Sequence, residues 1–598
     1  MIERIKQRTI IENIIEGVSL LIILSGIITS IKMNLEGHSL WWDEAALAYS
    51  FSQRSLVNLT SSGLEKLQSA PVGWLYILKI CTMIGGNTDF VLRIPAILAY
   101  IGTLLLTYII LRKTFPIHYP VTGTAFVASL PIILQYSNIF KPYITDCLFT
   151  LLVICFFDIY DKKRIGSLVL GILLAILIWF SNPSCFVAGG MIVALFLKTV
   201  LEKNKCGIVD IIKICVPLAV SFVAYYLYWL RQTATDDTML FYWKDWNLPL
   251  FIKDKTDIYQ IAKCAGTIFA EFYRLEYIVI ISVIVCLIYA WHKKNWMYWG
   301  VYFGFAVCLF ASALGKFPVN KRLWLYIYPL IVIVVFVGID ALINNEHNTK
   351  YSVNMVGVLL LGCSLLNGGV RYYWQTDNTY WPRYEVKKDY EYIMEHIAQD
   401  EAVYVCVNQT PIFDYYNEYV SATLNGRGNP VMEGDNEYLA PYDYQKDITF
   451  ITENQKCYVM MGDGWTIDYF MEDLFKGLYQ AGYFEMVYNP YETPLWYYCT
   501  DIQDINTVLS YEIIEEHGQK ILQIRNEGTT YVSTQYEKLV LQICDSDGNI
   551  KYAYNITDDI EPDTSVNISL DEVSQGEYIV KLSNEYKEII PSQRIIVE

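Results

Sequence analysis

The chain has 598 residues, of which 54% are hydrophobic, and its mean hydropathy is +0.27. Soluble globular chains rarely reach this average, so the composition indicates membrane spans. Residues 1–371 carry 31 Lys and Arg against 22 Asp and Glu, whereas residues 372–598 carry 14 against 40. The acidic second part argues against nucleic acid as a partner.

Eleven apolar segments are predicted to cross the bilayer, for which a helix needs about 20 apolar residues. They lie at about 16–33, 91–112, 120–139, 143–160, 165–181, 184–201, 208–230, 275–291, 296–314, 323–343 and 351–370. The segment 72–88 is also apolar, but it is short and carries Lys79, so we interpret it as an interfacial helix lying on the bilayer.

Basic residues cluster in alternate short loops, on the side of the membrane where the chain begins. They are Arg4, Lys6 and Arg8, then Arg112 and Lys113, Lys162, Lys163 and Arg164, Lys198, Lys203 and Lys205, and Lys293 and Lys294. By the positive-inside rule this side is the cytoplasm. Eleven spans then place the C-terminal part outside, together with the loops 34–90, 139–143, 181–184, 231–274 and 315–322.

Three domains are predicted. Residues 1–371 form an α-helical polytopic membrane domain. Residues 372–505 mix helix-like and β-rich runs, which indicates a small extracytoplasmic α/β domain. Residues 506–598 contain regularly spaced strands and turn signals such as Asp545-Ser546-Asp547-Gly548, which predict a C-terminal immunoglobulin-like β-sandwich.

Two adjacent carboxylates, Asp43 and Glu44, follow paired tryptophans in the first outer loop. An acidic first turn on an exposed interfacial helix would explain such a pair without any function. Here the flanking aromatic and apolar residues would press the carboxylates against the headgroup region, which a merely solvated pair would avoid. The pair is therefore a candidate for chemistry at the outer face.

The second outer loop reads Lys141-Pro142-Tyr143-Ile144-Thr145-Asp146. Proline suits the first position of a helix, so a span begins here with its free N–H groups and positive dipole end facing outward. This arrangement favours an anion, and Lys141 adds a full charge. Asp146 lies near bilayer depth, where carboxylates usually face a cavity. A structural Lys141–Asp146 pair is the alternative. Ser181-Asn182-Pro183 opens another span in the same way.

A third cluster, Gly315-Lys316-Phe317-Pro318-Val319-Asn320-Lys321-Arg322, holds three cations on the predicted outer side. The positive-inside rule disfavours them there, and an anionic phosphate at the outer leaflet would compensate their charge. Arginine is suited to bidentate phosphate contact. Cations that snorkel at the end of a span are the alternative.

These motifs resemble those of the GT-C glycosyltransferases of family 39, over roughly residues 15–420. The similar stretches, in order, are Trp42-Asp43-Glu44 with Ala48-Tyr49, Gln68-Ser69-Ala70-Pro71, Leu92-Arg93-Ile94-Pro95, Lys141-Pro142-Tyr143 with Asp146, Ser181-Asn182-Pro183, and Gly315-Lys316-Phe317-Pro318 with Arg322-Leu323. Each motif alone is weak, but six in register on one predicted face are a strong signal.

The resemblance implies a GT-C-like fold, a polyprenyl-phosphate-linked sugar as donor, a glycan or other hydroxyl as acceptor, and inversion at the anomeric carbon. Asp43 would be the catalytic base, with Glu44 and Asp146 as the other catalytic candidates. The donor phosphate would contact cations among Lys141, Lys316, Lys321 and Arg322. Substrate contacts are expected from Trp42, Tyr49, Gln68, Tyr143 and Asn182.

Several relatives carry a His or Glu just before the loop proline, sometimes near a metal. Ser69 and Ala70 occupy that place here, so no metal ligand is predicted and the resemblance gives little support for a divalent cation. Two other classes of protein would also suit many spans and outer charges. One is a transporter or flippase for a lipid-linked sugar, and the other is a non-catalytic glycan-binding membrane protein. No internal repeat or matched pair of broken helices supports the transporter.

Overall fold

The computed structural model describes residues 9–66, 68–272, 275–293, 295–343, 350–376, 385–417, 424–434, 444–461, 472–489, 493–501, 508–516, 519–532, 538–583 and 588–597. The basic residues Arg4, Lys6, Arg8 and Lys294, on which part of the topology prediction depends, lie outside these ranges.

The chain divides into two compact units. The first, the helical unit, comprises Met1–Gly37 and Leu47–Tyr380, and the second, the C-terminal unit, comprises His38–Ala46 and Trp381–Glu598. The nine residues that contain the acidic pair of the first outer loop therefore belong to the same unit as the C-terminal part of the chain. The predicted domain boundaries at residues 371 and 505 stay predictions.

The helices of the helical unit are, in chain order, α1 (Ile10–Leu35), α2 (Trp42–Ser52), α3 (Val72–Gly85), α4 (Asp89–Ile109), α5 (Pro120–Ser129), α6 (Pro131–Tyr136), α7 (Tyr143–Asp161), α8 (Ser167–Leu177), α9 (Ser184–Leu201), α10 (Lys205–Tyr225), α11 (Arg231–Ala234), α12 (Asp237–Tyr242), α13 (Lys255–Phe269), α14 (Glu276–Lys293), α15 (Trp296–Ala313), α16 (Ile327–Ile343) and α17 (Lys350–Thr376). The first turn of α2 lies in the C-terminal unit, and α2 continues into the helical unit.

Seven helical stretches in the described part of the chain are long and apolar enough to cross a membrane. They are Ile10–Leu35, Asp89–Thr114, Tyr143–Asp161, Ser184–Leu201, Lys205–Ala234, Glu276–Lys293 and Trp296–Ala313. Four shorter apolar helices accompany them, at Val72–Gly85, Ser167–Leu177, Ile327–Leu342 and Asn354–Leu366. The chain is thus a multi-pass membrane protein, and three of the eleven predicted spans, 120–139, 165–181 and 323–343, are shorter or interrupted.

The predicted span 120–139 is wrong as a single helix, because α5 ends at Ser129 and α6 begins at Pro131. Proline has no N–H to continue the helix, and it restrains the preceding residue to an extended backbone. Leu130 accordingly has φ −66° and ψ 119°. The predicted span 165–181 is also shortened, because its helix ends at Leu177.

Polar side chains connect α1 to the interrupted pair α5 and α6. The Ser19 hydroxyl donates to Thr122 Oγ1 at 3.0 Å, and the hydroxyls of Ser30 and Ser137 are 2.7 Å apart. Asn138 also donates to Ser30, at 3.2 Å. Between apolar helices, such interhelical hydrogen bonds stabilise a particular register, because hydrophobic burial does not distinguish one lipid-like face from another.

The C-terminal unit begins with a mixed α/β domain. Its helices are α18 (Val386–His396), α19 (Thr410–Tyr415), α20 (Leu424–Arg427), α21 (Gln445–Glu453) and α22 (Glu472–Ala481), and its strands are β1 (Ala402–Val405), β2 (Val431–Glu433), β3 (Lys456–Met460), β4 (Tyr483–Tyr488) and β5 (Leu495–Cys499). The sheet order is β2-β1-β3-β5-β4, with β1 parallel to β2 and β3 and the remaining pairs antiparallel. Every residue of β1 and β5 is buried, as expected for strands covered on both faces.

Two antiparallel sheets follow. Their strands are β6 (Leu509–Glu516), β7 (Gln519–Asn526), β8 (Leu539–Cys544), β9 (Ile550–Ile556), β10 (Ser565–Ser569), β11 (Gly576–Ser583) and β12 (Glu588–Val597). One sheet has the order β10-β7-β6 and the other β12-β11-β8-β9. Leu522 and Ile524 of one sheet and Leu541 and Ile543 of the other belong to one buried cluster. The C-terminal β-sheet region is therefore confirmed, and its immunoglobulin-like topology stays a prediction.

The orientation of the chain in the membrane can be tested with reporters. We expect a periplasmic-type reporter fused after residue 598 to be active and a cytoplasmic reporter at that position to be inactive, because the basic loops favour the inner side. A fusion in the Lys162–Arg164 loop is the internal control and should show the opposite pattern. A C-terminal fusion that is active only in the cytoplasm would contradict the placement of every predicted outer loop.

Candidate functional site

A buried cation lies at the N-terminus of α7, as the sequence predicts. Pro142 caps this helix without a side-chain hydrogen bond, and Lys141 directly precedes it. Lys141 is only 4% exposed, and its ammonium donates to the amide oxygen of Gln68, which is equally buried. A helix N-terminus carries a partial positive charge, so Lys141 and the start of α7 together form a cationic position suited to an anion.

A buried carboxylate lies one turn further along α7. Asp146 is 7% exposed and lies beside Ser181, in the short loop before α9 begins at Ser184. Among the described residues neither Asp146 Oδ1 nor the Ser181 hydroxyl reaches a partner at hydrogen-bond geometry. Buried polar atoms are usually satisfied, and the Ser181 hydroxyl is the neighbouring group that can donate to the Asp146 carboxylate.

Asn182 links the start of α9 to α10. Its amide oxygen accepts a hydrogen bond from the Tyr225 hydroxyl at 2.8 Å. Tyr143, in the first turn of α7, packs edge-on against Tyr136 with ring centroids 5.3 Å apart. The sequence motifs around Lys141 and Ser181 thus lie in one polar region of the helical unit. The sequence alone did not indicate Tyr225, which lies inside an ordinary apolar run.

A cleft of about 100 Å³ opens beside Gln68. Two stretches of chain line the cleft. The first contributes Gly63, Leu64, Gln68 and Ser69, and the second contributes Trp229, Gln232, Thr233, Asp236 and Met239. The indole N–H of Trp229 donates to the carbonyl of Ala70 at 2.8 Å, which fixes the ring against the first stretch. Amide, hydroxyl and carboxylate groups around one aromatic ring make the cleft polar, and sequence analysis had singled out only Gln68.

The three cations of the third cluster have different surroundings. Lys316 is exposed, and it follows Gly315, whose φ of +68° ends α15 in the left-handed conformation that glycine adopts most easily. Lys321 forms an ion pair with the buried Glu271 at 3.0 Å. Arg322 places its guanidinium 5.1 Å from the centre of the Trp243 ring. An aromatic face orients a guanidinium, and the planar guanidinium group is suited to bidentate contact with an anion.

Tyr49 belongs to α2 in the helical unit. The Lys66 ammonium lies 4.7 Å from the centre of its ring. A tyrosine against an ammonium is suited to a structural role as well as to substrate contact. Its predicted role in substrate binding stays a prediction.

The first-loop carboxylates belong to the C-terminal unit. Glu44 is 1% exposed, whereas Asp43 is partly exposed. The indole N–H of Trp42 is buried and forms no hydrogen bond with a residue the structure describes. Of the two carboxylates, Asp43 is therefore the one that a substrate can reach from solvent.

The residues just before this pair are held by the α/β domain. His38 Nδ1 lies 2.7 Å from Glu385 Oε1, the N–H of Lys387 donates to the Ser39 hydroxyl at 3.0 Å, and the N–H of Leu40 donates to the Tyr416 hydroxyl at 2.9 Å. Burial alone would raise the pKa of Glu385, but the His38 hydrogen bond and charge, together with Lys388, hold this pKa below its ordinary value. No sequence pattern indicated Glu385 or Tyr416.

Among the described residues, no group of three His, Cys, Asp or Glu side chains is arranged to hold a metal ion.

Comparison with known proteins yields one family. Residues 69–229 match the family model described as dolichyl-phosphate-mannose-protein mannosyltransferase. This segment contains the α7 and α9 motifs and the aromatic residue of the cleft. A comparison with curated proteins finds no match.

Solved structures with a similar fold include ArnT from Cupriavidus metallidurans in the apo state and bound to undecaprenyl phosphate. Each has a TM-score of 0.44 and 10% identity, and the alignment covers 80% of this chain and 97% of that chain. The oligosaccharyltransferase from Archaeoglobus fulgidus in the apo form has a TM-score of 0.46 and 9% identity, with 96% and 97% covered. With TM-scores this low, none of these likenesses bears on the chemistry of this chain.

The helical region and the matched segment are those of a membrane glycosyltransferase. Residues 69–229 are similar to the dolichyl-phosphate-mannose-protein mannosyltransferase family, whose name identifies dolichyl-phosphate-linked mannose as the donor of that family. The resemblance seen in the sequence motifs is thereby confirmed, and the transporter and receptor alternatives are set aside.

Proposed function

We propose that this protein transfers a sugar from a polyprenyl-phosphate-linked donor to an acceptor hydroxyl at the outer face of the membrane, with inversion of the anomeric carbon. The observation that carries the proposal is the buried Lys141 at the N-terminus of α7, inside the segment that matches the family. The buried Lys141 ammonium, which also contacts Gln68, and the helix N-terminus beside it make this position electropositive, and a lipid phosphate at the bilayer surface is an anion suited to it.

In the proposed reaction, the acceptor oxygen attacks the anomeric carbon from the face opposite the phosphate. The new glycosidic C–O bond forms as the bond between the anomeric carbon and the phosphate oxygen breaks. Asp43 takes the proton that the acceptor hydroxyl loses, and the polyprenyl phosphate departs with the bonding electron pair. Glu44 and Asp146 are the alternative proton acceptors.

The leaving phosphate gains negative charge as the bond breaks, so fixed cations stabilise the transition state. Arg322 and Lys141 are the main candidates, because one has its planar fork held by an aromatic ring and the other is buried. Lys316 is exposed and could approach a headgroup, whereas Lys321 already contacts Glu271 and is the weaker candidate. We assign Trp42, Tyr49, Gln68, Tyr143 and Asn182 to substrate contact.

The acceptor is proposed to be an envelope glycan or polysaccharide. The acidic C-terminal extension of about 230 residues lacks the repeats expected of enzymes that O-mannosylate proteins. Its net negative charge also disfavours an anionic acceptor at its surface.

A product assay tests the proposed function. Mass spectrometry of the lipid that co-purifies with the protein first identifies the donor. Purified protein in lipid nanodiscs is then incubated with the radiolabelled polyprenyl-phosphate sugar and a panel of glycan and peptide acceptors. We expect consumption of the donor, release of the polyprenyl phosphate and labelled glycan. Movement of the donor lipid across the bilayer with no bond cleavage would contradict the proposed glycosyl transfer. Labelling of the peptide acceptors alone would contradict the proposed glycan acceptor.

The two-sheet C-terminal region is expected to be dispensable for the chemical step. It has its own buried cluster, separate from that of the α/β domain, although Tyr531 also packs against the α/β cluster. We expect deletion of residues 506–598 to leave donor hydrolysis and transfer to a small acceptor within a few-fold of the full chain. The assay is initial rate with a soluble acceptor, after gel filtration shows the truncated protein to be monodisperse. Complete loss in a folded protein would place this region in the active site.

A further inference from the structure

Three consecutive residues precede the helix that carries Asp43, and all three are bound by the α/β domain. His38 contacts Glu385, Ser39 accepts from the main chain of Lys387, and Leu40 donates to Tyr416. His38–Ala46 belongs to the C-terminal unit, so these contacts are internal to that unit. We call Glu385, Lys387 and Tyr416 the loop dock.

The loop dock is built from buried groups. Leu40 and Ser39 are buried on one side, and Glu385 and Tyr416 are buried on the other. The Lys387 ammonium lies 5.7 Å from the centre of the Tyr416 ring, which restrains that ring from a second direction. Hydrogen bonds shielded from water are stronger and break less often than exposed ones, so the dock can hold a backbone in one position.

The dock is connected to Asp43 by a short and rigid piece of main chain. The N–H groups of Glu44 and Ala45 donate to the carbonyl of Trp41, each at 2.9 Å, so the first turn of α2 begins immediately after Leu40. On the other side, Gly37 has φ +70° and turns the chain out of α1. A displacement of Leu40 would therefore be passed directly to the Asp43 carboxylate.

We propose that Tyr416 and Glu385 of the α/β domain are positioning residues for the first-loop carboxylates, and that this domain sets the rate of the chemical step without touching the reacting atoms. The inference rests on the proposed function, in which Asp43 is the base. Under this inference the α/β domain is required for turnover, while the two-sheet region is not.

The most direct test removes one hydroxyl. Tyr416→Phe keeps the buried ring but deprives the Leu40 N–H of its acceptor. We expect kcat to fall about 10- to 100-fold, since small misplacements of a catalytic group have effects of this order, while KM for the lipid donor stays unchanged. Tyr458→Phe is the matched control, because this buried tyrosine of the same domain packs on Tyr392 and Tyr497. It should leave kcat within about twofold of the native value.

A double-mutant comparison separates positioning from stability. If Tyr416 acts through Asp43, Tyr416→Phe should cause no further loss in an Asp43→Asn background. If the two substitutions lower kcat independently, so that the double mutant shows the product of the two single losses, the hydroxyl only stabilises the domain and the inference is overturned. Equal losses of kcat in Tyr416→Phe and Tyr458→Phe would overturn it in the same way. Normal kcat in Tyr416→Phe would overturn it as well.

Two further outcomes keep the inference distinct from the proposed function. Should Tyr416→Phe not fold, Ser39→Ala removes the acceptor of the Lys387 N–H from the loop side, and the same loss of kcat at constant KM is expected. Should Asp43→Asn turn over normally, the choice of base is wrong. In that case the positioning inference stands only if Tyr416→Phe lowers kcat in the native protein and causes no further loss of kcat in a Glu44→Gln background. A further loss of kcat in the double mutant would overturn it.

Discussion

Asp43→Asn is expected to lower turnover by about 10²- to 10⁴-fold, which is the usual contribution of a general base, while donor lipid still binds. Asparagine keeps the size of the side chain and can still form hydrogen bonds, but its amide does not accept the proton of the acceptor hydroxyl. Asp43 is partly exposed beside the buried Glu44, which favours Asp43 as the group that meets the acceptor. The measurements are the single-turnover rate and the equilibrium binding of labelled donor.

Asp245→Asn is the matched control for this change, because it removes an exposed carboxylate from the predicted outer loop 231–274. It should not change the rate. Near-normal transfer by Asp43→Asn would show that Asp43 is not the base. Asp146, with its unsatisfied carboxylate oxygen, and Glu44 would then be the first candidates.

Arg322→Ala is expected to differ in kind, because it should weaken donor binding as well as turnover. Loss of a charge-assisted contact with phosphate in a poorly hydrated site costs about 2–4 kcal/mol, which is a loss of roughly 30- to 1,000-fold in affinity. Arg322→Lys should recover only part of this, because lysine lacks the planar fork and packs less well on Trp243. Donor affinity is measured by titration of labelled lipid into protein in nanodiscs.

Lys255→Ala is the control for Arg322→Ala, since Lys255 is an exposed cation at the first position of α13. Its removal should change donor affinity by less than about twofold, because exposed charges are screened by salt and solvent. If Arg322→Ala binds donor normally, the phosphate belongs with Lys141 and Lys316 instead. In that case Lys141→Gln should show the large loss.

The third cluster illustrates how structure refines a charge pattern. The sequence places Lys316, Lys321 and Arg322 within seven residues and predicts a phosphate for all three. In the structure, Lys321 forms an ion pair with Glu271, about 50 residues earlier in the chain, and Arg322 stacks on Trp243. Residues distant in the sequence decide the surroundings of each cation, and nothing in the spacing of the three cations indicates those residues.

Sequence alone indicated that the chain crosses the membrane many times and that part of it is similar to a mannosyltransferase family. A membrane span can be predicted from consecutive residues alone, since a helix that crosses the bilayer core requires about 20 apolar residues in succession. The proline motifs at Lys141-Pro142 and Ser181-Asn182-Pro183 likewise predicted helix starts, because proline acts on the backbone of its immediate neighbours. Pro131 also signals a helix break locally, but it lies within a continuous apolar run that was predicted to be a single span.

Tertiary structure alone decided which distant groups meet. Gln68 binds Lys141 across 73 residues, Tyr225 binds Asn182 across 43, and Tyr416 binds Leu40 across 376. Each of these contacts joins residues whose own neighbourhoods carry no sign of a partner, because a single hydrogen bond leaves no periodicity in the sequence. The assignment of the Asp43 loop to the C-terminal unit is the clearest case, since its composition and position indicate only a membrane-surface segment.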